Sequence, residues 1–273
     1  RSPKVEAFYG ESMMIPIPDI EPFRNKKYRI EKDTNGMSPA EVYKIHGEHE
    51  VLFLKRITTI YKDTTYDTKR ETNMIRWLSN QINVPEVVHY EEDTTFHTLI
   101  MSNIEGVSLE ELENTLRLED YIDYLVKALK LIQAIPIDGC PYNNCIHNRL
   151  NELQYLLDHN LADTEIENWE EDTPFDNATD LVEFLRENQP QENLVLSHGD
   201  FCNSNIFINK DQISFIDLGR VGLADLWLDI AFCVRDICEH SKNEKWTQYF
   251  FEKLELTPDW NKIKYYLLLD ELF

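Results

Sequence analysis

Ser197-His198-Gly199-Asp200-Phe201-Cys202-Asn203-Ser204-Asn205, followed by Ile216-Asp217-Leu218-Gly219, is the stretch on which the reading of this chain turns. Asp200 and Asn205 stand five residues apart on a loop. That loop leads into two short apolar runs, Ile206–Ile208 and Ile213–Ile216, and Asn209-Lys210-Asp211-Gln212 between them reads as the loop of a hairpin. Asp217 follows the second run, so a hairpin returns it to the side of Asn205. Three oxygen-bearing side chains then converge at one mouth.

Phosphoryl transfer uses such a set. It needs a carboxylate that orients the attacking hydroxyl and accepts its proton, and oxygen ligands for Mg²⁺ on the nucleotide phosphates. Asp-x₄-Asn with a downstream Asp-x-Gly is the protein-kinase pattern of catalytic and metal loops, with Gly199 in place of its Arg and Leu218 in place of its Phe. Taken singly, Asp200 is a turn residue, Asp217 a cap and His198 a core histidine. Their combination points to Asp200 as the catalytic base and to Asn205 and Asp217 as the metal ligands, with His198 orienting the loop backbone.

The N-terminal part supplies matching pieces. Strand-like runs near 28–30, 40–45, 51–55, 87–90 and 96–101 surround one helix pattern over 67–80, in which Met74, Ile75 and Leu78 share a face. Lys55 closes the run Val51-Leu52-Phe53-Leu54 and is placed to reach nucleotide phosphates. Glu71, on the helix, is placed to pair with it. Alone, Lys55 is a strand-end surface charge and Glu71 an exposed helix residue. Asn35-Gly36-Met37-Ser38 can offer backbone N–H groups and the Ser38 hydroxyl to the terminal phosphates, although Thr-Asn-Gly is also an ordinary hairpin turn. Beyond Asn103-Ile104-Glu105-Gly106 the period becomes helical, as in Ile122, Leu125, Val126, Leu129 and Ile132 and again in Leu150, Leu153, Leu156 and Leu157.

These patterns predict an α+β, two-lobed protein-kinase-like fold. A small antiparallel β-sheet lobe with one main helix spans 26–103. A larger, mostly helical lobe with a central β-hairpin spans 104–273, and residues 1–25 form an irregular lead-in. The 273 residues suit this size, and 42% hydrophobic content is enough for a core. No run of 18 uncharged apolar residues exists, and Arg1 to Pro18 carries no signal-peptide pattern. Five cysteines without CxxC spacing read as free thiols, Cys233 and Cys238 as buried small hydrophobes, and the expected location is cytoplasmic. A net charge of −23 argues against nucleic acid and anionic membrane as partners. Part of the acidity is concentrated at Asp163, Glu165, Glu167, Glu170, Glu171, Asp172 and Asp176, and the chain ends in Asp270-Glu271-Leu272-Phe273, where a free terminal carboxylate adds to it. A charge run is usually a solvated face, but a carboxylate-lined cleft attracts cations.

At the level of whole segments the chain resembles the aminoglycoside 3′-phosphotransferases, a family of antibiotic kinases. The resemblance is carried by Gly36–Lys44, Thr64–Asp67, Asn168–Phe175, Leu196–Asp200, Ser204–Phe207, Phe215–Arg220, Asp229–Arg235 and Leu269–Phe273, and runs from about residue 28 to the last. It implies ATP and Mg²⁺, the same roles for Asp200, Asn205 and Asp217, and a nucleotide site that includes Met37, Ser38, Lys55 and Glu71. It further implies Phe53 against the adenine and hinge contacts near Ser102 and Ile104. It places the substrate, a polyamine antibiotic phosphorylated on its 3′-hydroxyl and so inactivated, against Glu167, Asn168, Glu170, Arg220, Arg235, Glu239, Asp270, Glu271 and Phe273. Trp169 is expected to pack rather than to stack on ligand, and contacts from 201–203 depart from the family pattern. The expected assembly is a monomer or a homodimer.

Three other readings have distinguishing features. A kinase for choline, a macrolide or an amino sugar would share the machinery, but a neutral macrolide gains little from so acidic a chain. A non-catalytic nucleotide-binding module is disfavoured by the presence of Lys55, Glu71, Asp200, Asn205 and Asp217 together. A protein kinase lacks support because Arg220-Val221-Gly222-Leu223-Ala224-Asp225 leaves no long activation loop and no Ala-Pro-Glu.

Overall fold

The computed structural model describes residue 23 and residues 27–33, 38–171 and 173–273. They form two compact units. The first holds the described residues up to Ser79 and Val84–Ile104; the second holds Asn80–Asn83 and Glu105–Phe273. The lead-in expected over 1–25 lies outside the described residues except for Phe23.

In the first unit, β1 (Arg29–Asp33), β2 (Glu41–His46), β3 (Val51–Thr58), β4 (Val87–Glu92) and β5 (Phe96–Ser102) form an antiparallel sheet in the order β1-β2-β3-β5-β4. Side chains alternate along β3. Leu52 and Leu54 face one way, into a core with Phe23, Tyr28, Ile30, Tyr43, Ile45 and Ile100. Phe53 and Lys55 face the other. Helix α1 (Thr68–Leu78) packs on β3, β4 and β5 through the buried Met74, Ile75 and Leu78, as their spacing predicts.

The start of α1 is held by Asp67, which is buried. Its Oδ1 accepts from Lys69 N at 3.0 Å as an N-cap and lies 2.7 Å from His97 Nδ1 on β5, while its Oδ2 accepts from Asp63 N at 2.9 Å. One carboxylate therefore fixes both where the helix begins and where it sits on the sheet.

The second unit is mainly helical. Its elements are β6 (Val107–Ser108), α2 (Leu109–Leu112), α3 (Leu118–Gln133), α4 (Ile146–Asp158), α5 (Ala178–Glu187), β7 (Leu194–Ser197), β8 (Ile206–Asn209), β9 (Gln212–Phe215), β10 (Gly222–Asp225), α6 (Trp227–His240), α7 (Lys245–Leu254) and α8 (Trp260–Asp270). The hairpin expected between 206 and 216 is β8–β9. Its two-residue turn puts Lys210 at φ 55°. Strand β6 extends it to three strands, and β7 pairs with β10 in a separate two-stranded sheet. Neither β6 nor β10 was expected, because β6 is only two residues long and β10, Gly222-Leu223-Ala224-Asp225, carries no apolar run. Asn83 joins this unit: Phe215 N donates to Asn83 O at 3.1 Å.

Helix α6 is buried over nearly its whole surface, from Trp227 to Val234, as its apolar composition on every face requires. Cys233 lies within it fully buried, whereas Cys238 is only partly buried, being nearer the exposed end. All five cysteines are free thiols. Among the described residues no helix is long and apolar enough to cross a membrane.

Asp67→Ala removes the cap and strands three donors in a buried place. It should lower unfolding free energy by about 2–4 kcal/mol, read from the urea midpoint, with Asp67→Asn recovering part of the loss.

Candidate active site

Strand β7 ends at Ser197, where the chain turns sharply. Asp229, in the first turn of α6, receives that turn: its Oδ1 accepts from Ser197 Oγ at 2.8 Å and Gly199 N at 3.0 Å, and its Oδ2 accepts from His198 N at 2.7 Å. Burial pushes the Asp229 carboxyl up, opposed by the neighbouring His198 and by these hydrogen bonds. His198 is fully buried, with Nε2 3.0 Å from Ile216 O. It ties the loop to the residue before Asp217. Gly199 has φ 77°, and a Cβ there would lie 2.3 Å from Arg220 O. Only glycine allows the two segments to approach so closely.

Asp200 follows at once. Asn205 Nδ2 donates to Asp200 O at 3.0 Å and to Asp200 Oδ2 at 3.1 Å. The amide nitrogen thus faces Asp200, and Oδ1 is directed away from it. One 3₁₀ turn, Asn203–Asn205, starts β8, and Ile216 N donates to Asn205 O at 3.1 Å as the hairpin closes. Asp217 comes next in the left-handed region, φ 56° and ψ 60°, a conformation that aspartate tolerates and that is concentrated at functional sites. The Cys202 thiol senses both carboxylates. Burial first, then the charge of Asp200, and further that of Asp217, push it up to about 12. The structure brings Asp200, Asn205 and Asp217 to one end of the hairpin.

In the other unit, Lys55 Nζ lies 2.9 Å from Glu71 Oε2, and both residues are buried, at 7% and 1% exposure. That burial rules out a strand-end surface charge and an exposed helix residue. Ser38 Oγ accepts from Ala40 N at 3.2 Å; Met37 lies outside the described residues. Phe53 is partly buried, with Lys44 Nζ 5.8 Å from its ring centroid. Ser102 is engaged within the sheet, its N donating to Glu86 O and its Oγ accepting from Glu86 N, each at 2.9 Å. Ile104 is buried.

The third group lies around the last turn of the chain. Arg220 Nη1 donates to Asp270 Oδ1 at 3.1 Å, and Arg235 Nη1 to Asp270 Oδ2 at 2.9 Å. Burial opposes the charge of Arg235, but Asp270 more than offsets it, and the guanidinium is held above its ordinary pKa. Glu271 Oε1 accepts from Thr173 Oγ1 at 2.6 Å and Glu170 N at 3.1 Å. Burial raises the pKa of Glu271, and Glu170 and Asp270 add to it. Asn168 Nδ2 donates to Asp163 at 3.0 Å. Glu167 and Glu239 are exposed. Trp169 is buried at 7%, a packing residue as expected. Phe273 lies under the Arg149 guanidinium, 3.6 Å from carbon to ring centroid.

Sequence reasoning gave no role to Asp229, Asn144, Arg149 or Thr173. Asn144 Nδ2 donates to Arg220 O at 2.8 Å. Asp229 did leave a signal: a carboxylate inside the apolar run of α6 must find buried donors. The others left none.

Gly199→Ala forces a side chain into a left-handed backbone against Arg220 O. It should lower stability by about 2–4 kcal/mol in thermal melts and displace Asp200 enough to abolish most turnover.

A model of the phosphotransferase enzyme family matches residues 29–266. The chain is 50% identical over 250 residues to an aminoglycoside 3′-phosphotransferase of Enterococcus faecalis, covering 91% of this chain and 95% of that protein. Among solved structures it resembles an aminoglycoside 3′-phosphotransferase of type VIII with a TM-score of 0.74 at 21% identity, covering 92% and 95% of the two chains. It also resembles an aminoglycoside phosphotransferase of Streptomyces rimosus in complex with ADP and streptomycin, with a TM-score of 0.70 at 21% identity and coverage of 87% and 93%. The shared fold is the two-lobed protein-kinase-like one that the residue patterns predict. The chain belongs to the phosphotransferase enzyme family, in the branch of the aminoglycoside 3′-phosphotransferases.

Proposed function

We propose that this phosphotransferase transfers the γ-phosphoryl group of ATP to the 3′-hydroxyl of aminoglycoside antibiotics and so confers resistance to them. The observation that carries the reading is the meeting of Asp200, Asn205 and Asp217 at one hairpin end, in a chain half identical to an aminoglycoside 3′-phosphotransferase. Asp200 orients the acceptor hydroxyl and takes its proton. Lys55, held by Glu71, contacts the nucleotide phosphates, and Ser38 offers its hydroxyl to them. Phe53 packs on the adenine, with Ser102 and Ile104 beside it.

The donor set fits Mg²⁺. Asp217 would supply a carboxylate and Asn205 an amide oxygen already directed away from Asp200, both of the hard-oxygen type that Mg²⁺ takes. Among the described residues no cluster of three His, Cys, Asp or Glu could hold a metal by itself. When bound, Mg²⁺ neutralises charge on the phosphates.

Glu167, Asn168, Glu170, Glu239, Asp270, Glu271 and Phe273 receive the cationic rings, and Arg220 and Arg235 hold Asp270 in place. ATP as donor and five free thiols fit a cytoplasmic setting.

Purified protein with Mg-ATP and a kanamycin–neomycin panel should yield product phosphorylated at the 3′ position by NMR. An aminoglycoside lacking that hydroxyl should give no product. Turnover of choline in place of every aminoglycoside would overturn the substrate class. Asp200→Ala should reduce kcat by about 10²–10⁴ with nucleotide affinity kept, whereas Asp217→Ala should weaken Mg-nucleotide binding in calorimetry.

A further inference from the structure

We infer that Arg149 is a positioning residue for the substrate end of this site: by stacking on Phe273 it presets the final turn that carries Asp270 and Glu271. The inference rests on the functional reading above, because it assigns that turn to the aminoglycoside.

Arg149 lies in the first turn of α4, far in sequence from everything it serves. It is 9% exposed, and its Nη1 donates to Glu152 Oε2 at 2.8 Å on the same helix. Burying a guanidinium is costly even when paired, and an apolar side chain would fill the same helix face at lower cost. The neighbours on that face, Ile146, Leu150 and Leu153, are apolar and buried. The guanidinium plane is used instead on the Phe273 ring, at 3.6 Å. This is well inside the range of about 6 Å over which a cation is drawn to an aromatic face, and removal from water strengthens the attraction.

The rest of the turn is tied elsewhere. Asp270 is bound by Arg220 and Arg235, Glu271 by Thr173 and Glu170, and Leu272 O accepts from Asp163 N at 3.3 Å. Arg149 adds a hold on the aromatic ring from a different element. A cavity of about 20 Å³, room for one water, is bordered by Arg149, Asn144, Gly199, Arg220 and Asp270. Arg149 thus adjoins both the Gly199 backbone that sets Asp200 and the turn that meets substrate. Lysine is a poor replacement, since it keeps the charge but not the flat stack.

The test uses Arg149→Ala, Arg149→Lys, Phe273→Leu and the Ala/Leu double variant, with wild type as reference. Steady-state KM is measured for kanamycin and for Mg-ATP, and hydrogen exchange is followed over 266–273. Arg149→Ala should raise the kanamycin KM roughly tenfold while the Mg-ATP KM stays within about twofold. The double variant should be no worse than Phe273→Leu alone, because the two side chains act through one contact. Exchange over 266–273 should rise in both Arg149 variants, and Arg149→Lys, which keeps a cation beside Glu152, guards against mere misfolding. The inference is overturned by an unchanged kanamycin KM, by multiplying effects in the double variant, by parallel rises in both KM values, or by unaltered exchange in Arg149→Lys. A wild type that phosphorylates no aminoglycoside sinks the functional reading instead, and exchange over 266–273 still decides whether Arg149 holds the turn.

Discussion

The carboxylate of Asp229, buried in the first turn of α6, accepts three hydrogen bonds from Ser197, His198 and Gly199. A buried carboxylate is tolerable only when donors satisfy it, so the backbone of the loop has little freedom to move. Asp200 follows directly, and its place is set before any substrate arrives. Such preorganisation is what a phosphotransferase requires, because catalysis of this transfer is mostly positioning and electrostatics.

Within each unit, charge is used in closed pairs. Lys55 and Glu71 pair with each other in burial, and Asp67 does double duty as helix cap and partner to His97. On the helical unit, Asp270 is shared by two arginines and Glu271 is filled by Thr173 and Glu170. The surface around the final turn is therefore an ordered set of paired carboxylates and guanidiniums and not a bare negative patch. Negative charge remains in excess overall, at −23, which attracts cations at range.

Left-handed backbone occurs at the same place. Gly199 and Asp217 both have positive φ, and they flank the point where the loop meets the segment after β9. Two left-handed residues so near a set of convergent oxygens let the main chain turn sharply while side chains stay directed to one end.

The residues alone determined whatever depends on neighbours in the chain. Helix α3 was legible from its spacing, α1 from its apolar face, and the β8–β9 hairpin from two apolar runs around a polar turn. Because that hairpin is local, the convergence of Asp200, Asn205 and Asp217 could be read directly from the sequence. The pairing of Lys55 with Glu71 was legible as a pattern, but its burial was not. Only the tertiary structure decided the hold of Asp229 on the loop, the stack of Arg149 on Phe273, the pairing of β7 with β10, and the capture of Asp270 and Glu271. Each of these joins residues distant in sequence. Periodicity reports the direction in which a side chain leaves its own helix or strand. It carries no information about which remote segment, brought there by burial of the whole core, supplies the missing donor or face.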